Sequence, residues 1–380
     1  MKTVFISIDW FHPAYKAGGP VQSIANLVEQ YCHDQVNFKI FCSNTDFDGI
    51  ANNGVPFDEW YQYNQCTQVW YASKKTLSID LVKRTINNTN PDIIFVIGIF
   101  SWYFNLVPLL FCLSPMKVIS VRGMLHPGAL SQKYFKKQLF LILCRFLNFP
   151  HHYYFHATNV REKSFIRQIF GNHSKVYIAG NYPRVFSFQP LIYKKANSLK
   201  MVSIALISAM KNIELVLDAL QYCTRQVSYD IYGSIKEEKY WQNCLDKIKS
   251  LPSNIEVNYH GGLNPLKVEN SLQLYDLFIL PSKSENFGHS IFEALSAGKP
   301  VITSHFTPFN DLNNHCAGAN VSVDNLSEMT KSINFFAAMP HEEFVKWNIG
   351  ARQYAATRID QQALNHQYDQ LFFNHSLFNA

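Results

Sequence analysis

Short apolar runs alternate with helical patterns from one end of this chain to the other, and they do so in two series. Strand-like runs lie at 3–8, 36–41, 69–72, 92–97, 117–121, 153–156 and 175–178, with helical stretches between them. Strands alternating with helices are the pattern of βαβ units, and near-continuous apolar strands are those of a parallel sheet covered on both faces. The series breaks at Gly180-Asn181-Tyr182-Pro183 and the polar stretch 193–200. It restarts with runs at 201–206, 229–232, 255–259, 277–280 and 301–303, and closes on helical stretches at 342–357 and 361–373. The expected fold class is α/β, with two tandem Rossmann-like doubly wound domains. Residues 1–182 form the first and 183–357 the second, and a helix in 358–380 is able to pack back on the first. A chain of 380 residues is long for one core, and 47% hydrophobic with 16% charged residues excludes a disordered chain or a coiled coil.

The net charge of +6 is too mild to suggest a nucleic-acid partner, but it is unevenly spread. Residues 1–190 hold 18 Lys and Arg against 10 acids, and 191–380 hold 16 against 18. No acid lies between Asp92 and Glu162, a stretch with Lys117, Arg122, Lys133, Lys136, Lys137, Arg145 and Arg161. Within it, 132–149 is basic, aromatic and apolar. Such a helix can lie on an anionic leaflet; the alternative is a core helix with a basic solvent face. Residues 92–113 are apolar over about the length of a membrane span. Gly98, Ser101, Asn105 and Pro108 interrupt them, so a buried strand at 93–97 and a helix at 102–113 are expected instead. The opening run is too short for a signal peptide and reads as a strand. The eight cysteines show no zinc spacing and are read as small buried hydrophobes of an intracellular protein, not as disulfides.

Ligands of doubly wound sheets sit at the carboxyl ends of strands, and a cleft between two domains is the default site. In the first loop, Lys16-Ala17-Gly18-Gly19-Pro20 precedes a helix at 21–31. Gly18 and Gly19 allow close backbone approach, and the helix N-terminus favours an anion. This is neither G-x-G-x-x-G nor a Walker A loop, and by itself it is equally an ordinary glycine-rich turn. The most informative stretch is 280–301, which reads strand, loop, helix, strand. Glu285 in its loop and Glu293 in the first turn of its helix are placed to face one ligand, with the amides near Asn286, Phe287 and Gly288 pointing to the same place. Carboxylates accept sugar hydroxyls, and amides suit phosphate. Ser290 and Glu293 also fit a capping box, which needs no ligand. Three other features are read as decoys. Asp46-Phe47-Asp48-Gly49 is a turn, His151-His152 lacks partner ligands, and His126 lines the cleft or packs.

The 280–301 stretch closely resembles the donor-site signature of retaining glycosyltransferase family 4, whose GT-B fold has two Rossmann-like domains facing across a cleft. The match is Glu285, seven residues, Glu293, within Glu-Asn-Phe-Gly-His and Glu-Ala-Leu-Ser-Ala-Gly. Weaker similarities include 16–20, 121–125, 156–158, Tyr232-Gly233 and 307–309. The resemblance implies a bacterial enzyme of lipopolysaccharide O-antigen, capsule or exopolysaccharide assembly. It would move a sugar from a nucleotide-sugar donor to a lipid-linked saccharide acceptor, from the cytoplasmic face of the inner membrane. Glu293 would take ribose hydroxyls, and Glu285 would contact the transferred sugar, helped by Asn286, Phe287 and Gly288. Lys211 would grip the diphosphate, which Gly18 and Gly19 would approach from the first domain. Arg122 stands where many relatives have a histidine near the reacting sugar, and Lys16 and His126 are possible acceptor or cleft residues. No metal or other cofactor is expected. One departure is Leu206, where relatives carry an arginine that binds the diphosphate, with Arg122 or Lys16 as possible replacements. It motivates an alternative, a catalytically silent GT-B partner subunit; a GT-B sugar-nucleotide epimerase is a second. The resemblance further implies same-face transfer, in which the departing phosphate takes the acceptor proton.

Overall fold

The computed structural model describes residues 1–131, 134–187 and 193–373, which form two compact units. Unit 1 is Met1–Tyr182 with Asp360–Ala380, and unit 2 is Pro183–Ile359. The second break therefore falls two residues past the expected 357/358 boundary.

Unit 1 is built on an eight-stranded sheet, ordered β3-β4-β2-β1-β5-β6-β7-β8. Its strands are β1 (Lys2–Ser7), β2 (Val36–Ser43), β3 (Trp60–Asn64), β4 (Thr67–Ala72), β5 (Ile93–Ile97), β6 (Met116–Ser120), β7 (Tyr154–Ala157) and β8 (Val176–Ile178). All pairings are parallel except the β3–β4 hairpin. Every residue of β5 is buried, as a central strand between two helical layers requires. The 92–113 stretch is that strand followed by a turn at Trp102–Leu106 and a helix at Val107–Phe111. Among the described residues no helix is long and apolar enough to cross a membrane. The helix Gln361–Phe372 packs on this unit through Tyr368, Leu371 and Phe372, which share a core with Val4, Tyr31 and Phe95.

Unit 2 has a six-stranded parallel sheet, ordered β11-β10-β9-β12-β13-β14. Its strands are β9 (Ser198–Ile204), β10 (Gln226–Tyr232), β11 (Ile255–Tyr259), β12 (Leu277–Leu280), β13 (Val301–Ser304) and β14 (Gly318–Val321). Helices cover both faces, giving one core around Leu199, Tyr229 and Phe336 and another around Val202, Phe278 and Phe292.

The cysteine expectation is corrected. Cys32, just past the helix Gly19–Gln30, and Cys66, in the β3–β4 turn, form a disulfide with Cα atoms 5.7 Å apart. Folding brings together two residues 34 apart in sequence, which spacing alone does not reveal. Cys42, Cys112, Cys144, Cys223 and Cys244 are free and buried, and Cys316 is free and exposed.

Candidate active site

In a doubly wound sheet the ligand crevice lies where the strand order reverses. In unit 2 that switch point is between β9 and β12, because the chain proceeds from β9 to β10 and β11 on one side and from β12 to β13 and β14 on the other. The loops leaving β9 and β12 carry the predicted residues. After β9 the chain makes a short turn at Ala209–Lys211, ended by Asn212 in the left-handed region at φ 58°. Asn212 is fixed there by its Nδ2, which donates to the Val323 carbonyl at 2.8 Å. After β12, the Lys283 amide donates to the Met210 carbonyl at 2.8 Å, joining the two loops.

This brings Lys211 and Glu285 together. Lys211 Nζ lies 2.5 Å from Glu285 Oε1, which also accepts from Ser282 Oγ at 2.8 Å. Both side chains remain partly open, at 21% and 11% exposure. The Glu285 amide donates to the Phe306 carbonyl at 3.2 Å, holding the loop against the segment after β13.

The helix that follows is His289–Ser296, with Gly288 as its N-cap at φ 79°. A Cβ at Gly288 would meet Phe309 at 3.2 Å and Ile291 at 3.3 Å in a conformation side chains rarely adopt, so glycine is required. The capping-box expectation fails, since the cap is Gly288 and no side chain caps the helix. Glu293 accordingly lies a full turn in and not in the first turn. It is buried, at 7% exposure. Burial pushes its carboxyl up to about 7, and the Arg184 charge only partly opposes this. Arg184 is held by the Pro265 carbonyl, to which its Nη1 donates at 2.9 Å. Phe287 packs against His289 and Phe292, with ring centroids 4.7 and 6.0 Å away. Asn286 lies in the same loop.

Unit 1 holds the other predicted residues. Gly18 caps the helix Gly19–Gln30 at φ 80°, and a Cβ at Gly19 would meet nothing within 4 Å. The D-x-D segment is a turn, as expected. Its Asp46 accepts from the Tyr15 and Lys16 amides at 3.0 and 3.1 Å, and so shapes the glycine loop. Lys16 Nζ pairs with Asp48 Oδ2 at 2.5 Å, which raises the Lys16 pKa. Arg122 follows β6 with φ 47° and donates to Asn181 Oδ1. Its charge adds to burial in holding His156 neutral, down to about 3. His126 packs on Phe165 with centroids 5.2 Å apart and accepts from the Gly128 amide at 3.1 Å. Burial first, then Arg161, lowers its pKa.

Sequence reasoning missed several polar groups. Glu162 is buried and takes the Gly123 amide on one oxygen and the Thr158 amide, at 2.7 Å, on the other. Beyond β10 and β11, His260 Nε2 is 3.1 Å from Asp230 Oδ1, and Tyr275 donates to Asp230 Oδ2 at 2.8 Å. Leu206 is half-buried five residues before Lys211, and the sequence reading overlooked Lys283, an exposed cation of the β12 loop whose amide bonds the Met210 carbonyl. Among the described residues no cluster of three or more His, Cys, Asp or Glu could hold a metal ion.

Residues 188–353 match the family described as Glycosyl transferases group 1. That stretch is a group 1 glycosyl transferase domain by its match, and the chain as a whole has a GT-B fold. It shares 98% of its length with Anabaena HepE, solved with UDP and glucose, at a TM-score of 0.69 and 16% identity, covering 99% of that chain. WaaG, a glycosyltransferase involved in lipopolysaccharide biosynthesis, gives 0.67 at 11% identity, with 98% of this chain and 99% of that one covered. Among curated proteins, the GtfA subunit of a Streptococcus parasanguinis UDP-N-acetylglucosamine–peptide N-acetylglucosaminyltransferase is 24% identical over 42% of this chain. The Escherichia coli O-antigen biosynthesis glycosyltransferase WclY is 29% identical over 29% of it. The chain spans under a third of those two relatives, 31% and 30% of their lengths.

Proposed function

We propose that the chain is a retaining glycosyltransferase that moves a sugar from a nucleotide-sugar donor to a lipid-linked saccharide in surface-polysaccharide assembly. The observation that carries this reading is the Lys211–Glu285 pair at the unit 2 switch point, with the buried Glu293 on the helix behind it. Breaking the bond between the anomeric carbon and the diphosphate oxygen builds negative charge on the diphosphate. Lys211 and the amides before His289–Ser296 answer that charge, and Lys283, whose amide bonds the Met210 carbonyl next to Lys211, stands in for the cation that Leu206 lacks. Glu285, already an acceptor, exchanges part of its ion pair for sugar hydroxyls. Glu293 accepts from the ribose. In a same-face transfer the acceptor oxygen bonds to the anomeric carbon, and its proton leaves with the phosphate oxygen. Inversion of the product anomer would exclude that route.

The test is thermal shift with UDP, GDP, ADP, CMP and dTDP. A ligand at 100 times its Kd stabilises the fold by about 2.7 kcal/mol. UDP comes first, because HepE was solved with it. No response from folded protein would favour the silent-partner reading. A nucleotide-sugar product made without any acceptor would favour the epimerase.

Membrane attachment belongs to the same proposal. The helix Tyr134–Phe146 buries only Leu141 and Cys144, while Phe135 and Phe146 are 86% and 87% exposed. Leu139, Ile142 and Leu143 are also exposed, and Lys136, Lys137 and Arg145 lie among them. Gln132 and Lys133 of the expected 132–149 segment lie outside the described residues. A basic helix with this apolar face suits an anionic leaflet, where the lipid-linked acceptor would be met on the cytoplasmic face. Flotation with phosphatidylglycerol vesicles, absent with phosphatidylcholine alone, is the expected result.

A further inference from the structure

The Cys32–Cys66 disulfide sits at an edge of unit 1. Both residues are half-buried, so a thiol in solution has access to the bond between them. The bond joins the end of the helix Gly19–Gln30 to the turn of the β3–β4 hairpin. β3 is the outermost strand of its sheet, and its backbone pairs with β4 alone. Two further side chains of the hairpin lie against the same helix. Asn64 Nδ2 donates to the Val28 carbonyl at 3.0 Å, and the Tyr63 hydroxyl donates to Glu29 Oε1 at 2.7 Å. The covalent bond fixes the hairpin to the helix. Once it is cut, β3 can fray from the sheet edge, where local opening is easiest.

Tyr63 also reaches the first loop. Its oxygen lies 3.3 Å from His12 Nδ1 and accepts from it when its own proton is on Glu29, and its ring meets Phe11 edge-on with centroids 5.1 Å apart. Phe11 and His12 open the loop that ends at Gly18 and Gly19, where the same helix begins. The hairpin thus braces this loop and helix at two points, through Cys66 at the helix end and through Tyr63 at the loop. Disulfides are rare in the reducing cytosol, and those found there are for the most part transient or redox-sensing. Exposed disulfides are among the labile ones. An accessible disulfide in a chain read as working at the cytoplasmic face is therefore a bond suited to being made and broken in use.

We propose that Cys32 and Cys66 are a reversible thiol–disulfide switch that sets the order of the first loop through Tyr63, and with it the approach of Gly18 and Gly19 to the donor. The last clause rests on the sugar-transfer reading above. The reductant is a cellular thiol such as glutathione. Its thiolate attacks one cysteine sulfur, and the other sulfur leaves as a thiolate and takes a proton. A second glutathione resolves the mixed disulfide, leaving two cysteine thiols and one oxidised glutathione. The experiment is hydrogen exchange on the full chain in reduced and in oxidised glutathione, with alkylation counting thiols in the folded protein. Reduction is expected to expose two more thiols and to speed exchange about tenfold or more in β3 and at residues 11–18, while β5 stays protected over the same minutes. Oxidised glutathione should restore slow exchange. Cys32→Ser with Cys66→Ser should exchange like reduced protein in both buffers. Tyr63→Phe keeps the disulfide and the ring beside Phe11, and its loop should exchange fast even when oxidised. A disulfide that glutathione leaves intact in the folded chain, or a loop whose exchange ignores reduction, overturns the proposal. So does β5 exchanging as fast as the loop, which would mean that unit 1 simply unfolds. The Kd of the nucleotide that shifts the oxidised protein should rise about threefold or more on reduction, and a Kd that ignores reduction also overturns it. Failure of every nucleotide to shift the oxidised protein refutes the donor reading instead, and the exchange result would stand without it.

Discussion

Glu293→Gln separates the cost of burying this carboxylate from its use. Gln keeps the shape of the side chain and removes the charge. The wild-type carboxyl is pushed from 4.5 to about 7, foremost by burial. At about 1.4 kcal/mol per pH unit, that displacement is worth about 3 kcal/mol. Its sign follows from proton counting. Below about pH 4.5 the folded and unfolded chains both hold the proton. Between 4.5 and about 7 the folded chain holds a proton the unfolded chain has released, so stability falls as pH rises. Above about 7 the full penalty is present. Glu293→Gln should therefore melt with wild type near pH 4.5 and be about 3 kcal/mol more stable at pH 8.5, or about 6–12 °C in Tm. Taking the difference between the two proteins at each pH cancels every other titrating group. Nucleotide affinity should behave in the opposite way. Only the carboxylate accepts two ribose hydroxyls, so wild-type affinity should rise with pH up to about 7 and then level off. The variant should bind about 10–100-fold more weakly with no such rise. A melting difference that does not change with pH would refute the argument from burial, and unchanged nucleotide affinity would refute the ribose role.

On the proposed reading, Lys211→Ala should lower kcat about 10²–10³-fold in a nucleotide-release assay, because it removes the cation that pairs with Glu285 and that would answer charge on the diphosphate. Gly19→Ala should melt at or slightly above wild type, since a Cβ there meets nothing within 4 Å and alanine favours the helix; a loss of turnover in that stable variant would mark close backbone approach by the donor. Denatured, unreduced protein should titrate six thiols, and eight after reduction, which should cost unit 1 about 4 kcal/mol by the loop-entropy estimate and lower its Tm. Phe135→Glu with Phe146→Glu should abolish vesicle flotation and leave Tm unchanged, because both side chains are more than four-fifths exposed.

The parallel strands were legible because burial on both faces leaves its mark on every residue, as in β5. The two strands that escaped notice lack that mark. β3 is the half-exposed outer strand of a hairpin, reading Trp-Tyr-Gln-Tyr-Asn, and β14 begins with a glycine at φ 147° and includes Asn320. Local chemistry misled in one place. Ser290 and Glu293 have the spacing of a capping box, but Gly288 can take φ 79° and begins the helix two residues earlier. That shift carries Glu293 from a solvated first turn into the buried second, which is what displaces its pKa.

The candidate site itself was legible as residues and not as an arrangement. Lys211 and Glu285 are 74 residues apart, and nothing in either segment says that they touch. Strand order says it, because β9 and β12 are neighbours at the point where the order reverses, and residues just past adjacent parallel strands must meet. The resemblance names residues in both units, Gly18, Gly19 and Arg122 in the first and Lys211, Glu285 and Glu293 in the second, but it does not say which of them touch. Strand order treats the two sheets alike. It assigns each sheet one switch point, between β1 and β5 in unit 1 and between β9 and β12 in unit 2, and only the second could be found from a signature in the sequence.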